Sequence, residues 1–209
     1  MIEDKRIVIL APHTDDGELG CGGAIHRFAQ KNEVYYVGFS SCRGSVPSGF
    51  ANDVLIQEMH DATTTLGIKK ENLVLFDYDV RTFSDHRQKI LDELIIIKKD
   101  LLPDVVFLPS LHDVHQDHVT LAQEGRRAFK ECSVLGYELP WNNFSFAPSC
   151  FVSLSKENID KKCEAIALYK SQAHRSYTQA DFTRSLAKVR GVQSGHSYAE
   201  AFEVIRWII

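Results

Sequence analysis

The chain has 209 residues, with 24 Lys and Arg against 28 Asp and Glu and a net charge of −4, so it carries no basic stripe of the kind a nucleic-acid binder presents. A chain this long buries roughly 70% of the surface its unfolded form exposes, and one domain over residues 1–209 is expected, with no staple needed from the five widely spaced cysteines (Cys21, Cys42, Cys132, Cys150 and Cys163), which read as reduced thiols. The amino terminus enters an apolar run directly and no run approaches a membrane span, which points to a cytoplasmic protein acting on a small molecule, as a monomer or a homo-oligomer.

The first element is a strand over Arg6 to Ala11. Ile7 to Leu10 are apolar without alternation, as in a strand covered on both faces of a parallel sheet. It delivers the cluster Pro12-His13-Thr14-Asp15-Asp16-Gly17-Glu18, after which Leu19, Ala24, Ile25 and Phe28 recur at helical spacing and predict a helix over about 22–30. In open α/β sheets ligands bind at such a junction. Adjacent carboxylates are costly to ionise together unless a cation offsets them, and His13 and Asp16, three apart on a tight turn, can converge on one ion while Asp15 points elsewhere. The alternative is a solvated acidic turn in which Asp15 or Asp16 caps the helix.

A second strand is expected over 33–40, followed by a polar, glycine-rich loop (41–49). A helix from the N-cap Asn52 to Leu66 should close at Gly67. The third strand, 73–76, runs into a loop holding Arg81 between Tyr78 and Phe83, suited to gripping a sugar hydroxyl or phosphate, or else to pairing with Asp77 or Asp79. A helix over 85–100 precedes Pro103 and a fourth strand, 105–108, which ends in a second cluster, Pro109-Ser110-Leu111-His112-Asp113-Val114-His115-Gln116-Asp117-His118. A helix starting near His118, strands over 134–139 and 149–154, a Ser155-capped helix and a final edge strand over 201–209 complete the chain. Strands alternating with helices imply an α/β fold, a Rossmann-like, mostly parallel sheet with helices on both faces. No G-x-G-x-x-G follows the first strand, so no dinucleotide is expected.

Two remote strands thus present His/Asp clusters at one sheet edge. A catalytic zinc site uses three protein ligands and an open position, and His13, Asp16 and one histidine of the second cluster supply that set. The His-x-Asp-Asp-x-Glu spacing, the paired glycines after it, and the later His-x-Asp-His resemble the LmbE-like or PIG-L family of zinc-dependent N-acetylglucosaminyl deacetylases. Tyr169-Lys170-Ser171-Gln172 and Tyr198-Ala199-Glu200-Ala201-Phe202 extend the likeness over nearly the whole chain. Pro12 precedes His13, where the family usually places proline after it, and Leu55 stands where relatives often carry arginine.

The resemblance implies a Zn2+ ion, with Fe2+ or Co2+ suited nearly as well, on His13, Asp16 and His118, and Asp15 as the general base. His115 is the candidate for stabilising the oxyanion and protonating the amine, with Asp117 accepting its other ring N–H and keeping it cationic; Asp15 is the alternative proton donor. Glu18 is expected to brace the loop. Arg81 and Arg190, the latter beside a turn at Gly191, are candidate substrate contacts, whereas His112, His174 and His196 are expected to be packing or surface residues. The implied reaction is removal of acetyl from an N-acetylated amino sugar; a conjugate amidase for a larger acyl group and a catalytically idle binding relative are the alternatives.

Overall fold

The computed structural model describes residues 2–208. Seven strands form one sheet in the order β3-β2-β1-β4-β5-β7-β6. β1 (Arg6–Ala11), β2 (Glu33–Gly38), β3 (Leu73–Leu75), β4 (Val105–Pro109) and β5 (Ser133–Tyr137) are parallel; β7 (Tyr198–Arg206) is antiparallel to β5, and β6 (Cys150–Leu154) is antiparallel to β7. The predicted doubly wound α/β sheet is present.

Alternation along β1 divides the core. Ile7, Ile9 and Ala11 face a cluster built with α1 (Asp16–Ala29), α2 (Val54–Thr65), α5 (Lys156–Ala167) and Ala187 of α6 (Ala180–Ser194), whereas Val8 and Leu10 face α3 (Arg87–Leu101) and α4 (Gln116–Ala128). Every one of these β1 residues is at most 1% exposed, so the uninterrupted apolar run reflects burial on both faces. The chain leaves β1 towards β2 on one side and pairs with β4 on the other, with Ile9 opposite Phe107. The carboxyl ends of β1 and β4 are therefore the topological switch point, where a crevice opens between loops running in opposite directions.

Several local expectations are met for the expected reason. Ser155 caps α5 in a reciprocal capping box with Asn158, and Gly67 closes α2 at φ +89°. Others are corrected. The last strand spans Tyr198–Arg206 and lies between β5 and β6, not at an edge; Ala199, Ala201 and Phe202 are buried there, and β6 takes the edge. Ile209, the end of the expected strand, lies outside the described residues. Arg190 and Gly191 belong to α6, not to a turn: a Cβ on Gly191 would come within 2.8 Å of the His196 and Ser197 backbone, so the glycine lets the chain fold back closely against its own helix. Helix α4 begins at Gln116, two residues before His118, with His115 as its N-cap.

Candidate metal centre

The loop after β1 and the loop after β4 meet over the switch point. His13 Nε2 lies 3.0 Å from Asp117 Oδ2, and His118 Nδ1 lies 2.8 Å from Asp113 Oδ2. Both carboxylates are buried and assign the tautomers: those two ring nitrogens carry the hydrogens, so the opposite nitrogens, His13 Nδ1 and His118 Nε2, present lone pairs. These nitrogens are 3.1 Å apart, and Asp16 Oδ2 lies 3.0 Å from the first and 3.2 Å from the second. In those tautomers three electron-pair donors form a nearly equilateral triangle, and Asp16 Oδ2 also accepts the His13 main-chain N–H at 2.9 Å.

A divalent cation would satisfy that arrangement. A tetrahedral ion with bonds of about 2.0–2.1 Å requires donors about 3.3 Å apart, close to the observed edges, so the three residues fit a divalent ion of that size. The carboxylates behind the imidazoles orient them, as partners of metal-ligating histidines do. Asp117 is itself fixed, accepting the Arg81 N–H at 2.6 Å and the Phe83 N–H at 3.3 Å as well as His13.

Without an ion, protons take its place. Burial works against a charged His118, but Asp16 and Asp113 outweigh it and push its pKa up to about 10. Burial opposes charge on His13 too, yet Asp16 and Asp117 raise its pKa. Burial would raise Asp16, but His118 and His13 hold it well below the usual carboxylate range. Asp15 behaves oppositely: burial and the neighbouring Asp16 charge push it up to about 6, the range of a poised general base. It lines a cleft of ≈ 200 Å³ together with His13, Asp16, His115 and His118.

His115 is placed at the centre, its ring 4.6 Å from that of His118 and 4.9 Å from that of His13, and the three histidines bring ligand nitrogens within 4.8 Å of one another. Its expected partnership with Asp117 is corrected. The Asp117 carboxylate serves His13, and what touches His115 is the Asp117 main-chain N–H, which donates to His115 Nδ1 at 3.2 Å. An Nδ1 that accepts leaves the hydrogen on Nε2, and burial together with the charges of His118 and His13 lowers the His115 pKa, so this side chain is a neutral donor and not an imidazolium.

Glu18 lies behind the loop. Its carboxyl bonds the hydroxyls of Tyr36 and Tyr169, at 2.8 Å for the latter, and both hydroxyls also donate to the Thr14 carbonyl. A Cβ on Gly17 would come within 2.5 Å of the Tyr36 ring, so glycine there lets the tyrosine reach the loop. Burial pushes Glu18 up to about 8 despite those hydroxyls. Arg81 lines the cleft, and among the described residues it makes no ion pair with Asp77 or Asp79, the former bonding Arg43 at 3.0 Å instead. Arg190 lies outside the cleft, its guanidinium held by Glu138. His112, His174 and His196 lie outside it as well.

Four residues of the site escaped the sequence reading. Asp113 stood inside the second cluster, and its spacing of five from His118 was the available signal. Trp141, Arg175 and Tyr177 line the cleft from loops remote in sequence, and no spacing announces them.

Fold and site together define an α/β protein with a cluster of histidines and carboxylates that could hold a metal ion at the switch point of a doubly wound sheet. The chain belongs to the PIG-L family: the family described as GlcNAc-PI de-N-acetylase matches residues 8–129. The uncharacterized deacetylase YaiS of Escherichia coli strain K12 is 31% identical over 178 residues, 80% of this chain and 91% of the relative. The N,N'-diacetylchitobiose deacetylase of Pyrococcus horikoshii superposes with a TM-score of 0.77 at 20% identity, over 96% of this chain and 84% of that one. GalB, the 4-carboxy-2-hydroxymuconate hydratase of Pseudomonas putida KT2440, does so with a TM-score of 0.79 at 20% identity, over 98% of each chain. The last two show a shared fold, and the fold alone does not select the chemistry. Among the described residues no helix is long and apolar enough to cross a membrane.

Proposed function

We propose that this protein is a zinc-dependent N-deacetylase that hydrolyses the acetamide of an N-acetylated amino sugar. The observation that carries the reading is the triangle of His13 Nδ1, Asp16 Oδ2 and His118 Nε2, with edges of 3.0–3.2 Å, beside a carboxylate and an imidazole that the triangle does not use. A divalent ion held there supplies positive charge that acidifies water and polarises a carbonyl.

The remaining work falls to the chain's own groups. Asp15, with its pKa near 6, takes the proton from the attacking water and returns it to the departing amine nitrogen, which leaves as a neutral amine. His115 directs Nε2–H at the acetyl oxygen and stabilises the charge that develops there, worth about 10²–10³ in rate for a well-aimed donor. The cleft is smaller than the roughly 300–1,000 Å³ of drug-sized sites, which suits one acetamido ring at the centre.

The test is acetate release from a panel of N-acetylated sugars, with and without chelation. Chelation should abolish release and zinc restore it, and propionyl and longer acyl analogues should react more slowly. A zinc-loaded, folded protein that hydrolyses no panel member would overturn the proposal, and a preference for long acyl chains would favour the conjugate-amidase alternative.

A further inference from the structure

The chain's arginines divide sharply by what they bond. Arg6, Arg43, Arg87, Arg127, Arg184 and Arg190 contact carboxylates, and Arg27 and Arg206 donate to backbone carbonyls. Among the described residues only Arg81, Arg126 and Arg175 have neither kind of partner, and two of those three line the cleft over the metal centre. The carboxylates lining the same cleft are Asp15 and Asp16, which feel the Arg175 charge at a distance. Among the described residues neither guanidinium makes an ion pair with them or with any other carboxylate.

Both arginines are positioned. Arg81 is a non-glycine residue at φ +69°, a left-handed backbone conformation that survives where the surroundings over-determine it. Its N–H is bonded to Asp117 Oδ2 at 2.6 Å and its carbonyl accepts from Gln116 Nε2 at 2.9 Å, so its main chain is tied to the carboxylate that orients His13 while its side chain is exposed. Arg175 lies with its guanidinium carbon 5.7 Å from the centroid of the Tyr177 ring and donates to the Tyr177 hydroxyl. Tyr177 in turn stacks on Trp141, with ring centroids 4.0 Å apart and planes 11° apart. A guanidinium held at the hydroxyl of a stacked aromatic pair gives up little freedom when it binds an anion.

From this we infer that the cleft selects an acidic acetamido substrate, one whose ring carries a carboxylate or phosphate group that Arg81 and Arg175 grip while the acetamide faces the metal centre. The inference rests on the deacetylase reading for the reacting group, and names the substrate class within it. The aromatic pair offers an apolar face to the sugar ring, and neutral Ser45, Asn142 and Gln172 complete the lining.

Equilibrium binding separates this inference from the reaction. The zinc-loaded full chain is titrated calorimetrically with N-acetylglucosamine, N-acetylglucosamine 1-phosphate, N-acetylglucosamine 6-phosphate and N-acetylmuramic acid. At least one acidic ligand should bind about tenfold or more tightly than the neutral sugar, as charge-assisted hydrogen bonds require, and the preference should shrink as salt is raised. Preference for the phosphates identifies one source of the anion and preference for the muramic acid the other; each supports the inference. Arg175→Gln should lower the ratio of acidic to neutral affinity about tenfold. Arg81→Gly should do the same, since glycine accepts φ +69° and removes the guanidinium without disturbing the turn, whereas Arg81→Ala adds backbone strain. Acidic and neutral ligands binding alike, no binding of any acidic ligand to the folded protein, or a preference surviving both substitutions would overturn the inference. Failure of the deacetylase reading alone would appear as selective binding without acetate release.

Discussion

Helix α1 touches two clusters of buried charge, and they differ in how charge is matched. At its first turn, Asp16 meets the two lone-pair nitrogens of His13 and His118. Further along, where Cys21 at φ −142° breaks the helix, Glu200 of β7 accepts the N–H groups of Gly23 and Ala24 at 3.0 and 2.7 Å, and Lys162 of α5 reaches both Glu200 and the Leu19 carbonyl at 2.7 Å. The second cluster is closed: donors face acceptors and the charges cancel. In the first, with one ring nitrogen of each histidine turned to Asp117 or Asp113, acceptors converge on one point that a proton on His118 fills when no ion is bound. Buried charge of the first kind is arranged so that a cation would satisfy it, whereas buried charge of the second kind holds three elements together.

Breaking the contrast at the reacting groups should have the largest effect. Asp15→Asn removes the proposed base without touching the triangle, so turnover should fall about 10²–10⁴-fold while the metal content, measured by elemental analysis, stays at the wild-type value. In the unaltered protein the rate should fall on the acid side with an apparent pKa at or below about 6, because burial and Asp16 raise Asp15 to that value and a bound cation pulls it down again. Unchanged turnover in the variant would remove Asp15 from the mechanism.

Opening the closed cluster comes next. Lys162→Met leaves the Glu200 charge buried without its partner, a loss of about 3–5 kcal/mol of stability that denaturant midpoints will read, with the metal content per folded chain unaffected. A small loss would mean that the backbone donors of α1 suffice for Glu200. The smallest effect sharpens the first cluster: Asp113→Ala frees the His118 ring from its carboxylate and should weaken metal affinity about 10–100-fold, read by competition with a chelator.

How far the sequence revealed these two clusters follows from where their partners lie. His13, Asp15 and Asp16 are contiguous and follow an apolar run, and His118 closes a second run of the same kind, so strand burial alone brings them to one edge. Glu200 and Lys162 are 38 residues apart on elements whose packing depends on β7 entering between β5 and β6. A strand with Ala199, Ala201 and Phe202 facing the interior reads much like an edge strand until its neighbours are known. Helix α6 was hidden because Val189 and Val192 are 53% and 70% exposed, which blurs its apolar stripe, and because Gly191 imitates a turn. Asp117 was misassigned to His115 on proximity in sequence. As the second residue of α4 its side chain points across to His13, whereas His115, as N-cap, receives its main-chain N–H.

The central claim concerns the ion, and titration of the metal-free protein with Zn2+ in buffers of different ionisation heat tests it most directly. His118 holds its proton up to about pH 10 in the metal-free fold, against about 6.5 in an unfolded chain, so the stability its charge brings is full below about pH 6.5 and fades as the pH rises through about 10. An ion must displace that proton. The account predicts one tightly held ion per chain, release of at least one proton per ion at pH 7, affinity that rises with pH, and loss of more than about 100-fold in affinity in Asp16→Ala. A folded wild-type protein that takes up no ion, or an Asp16→Ala variant that binds zinc as tightly and with the same proton release, would contradict it.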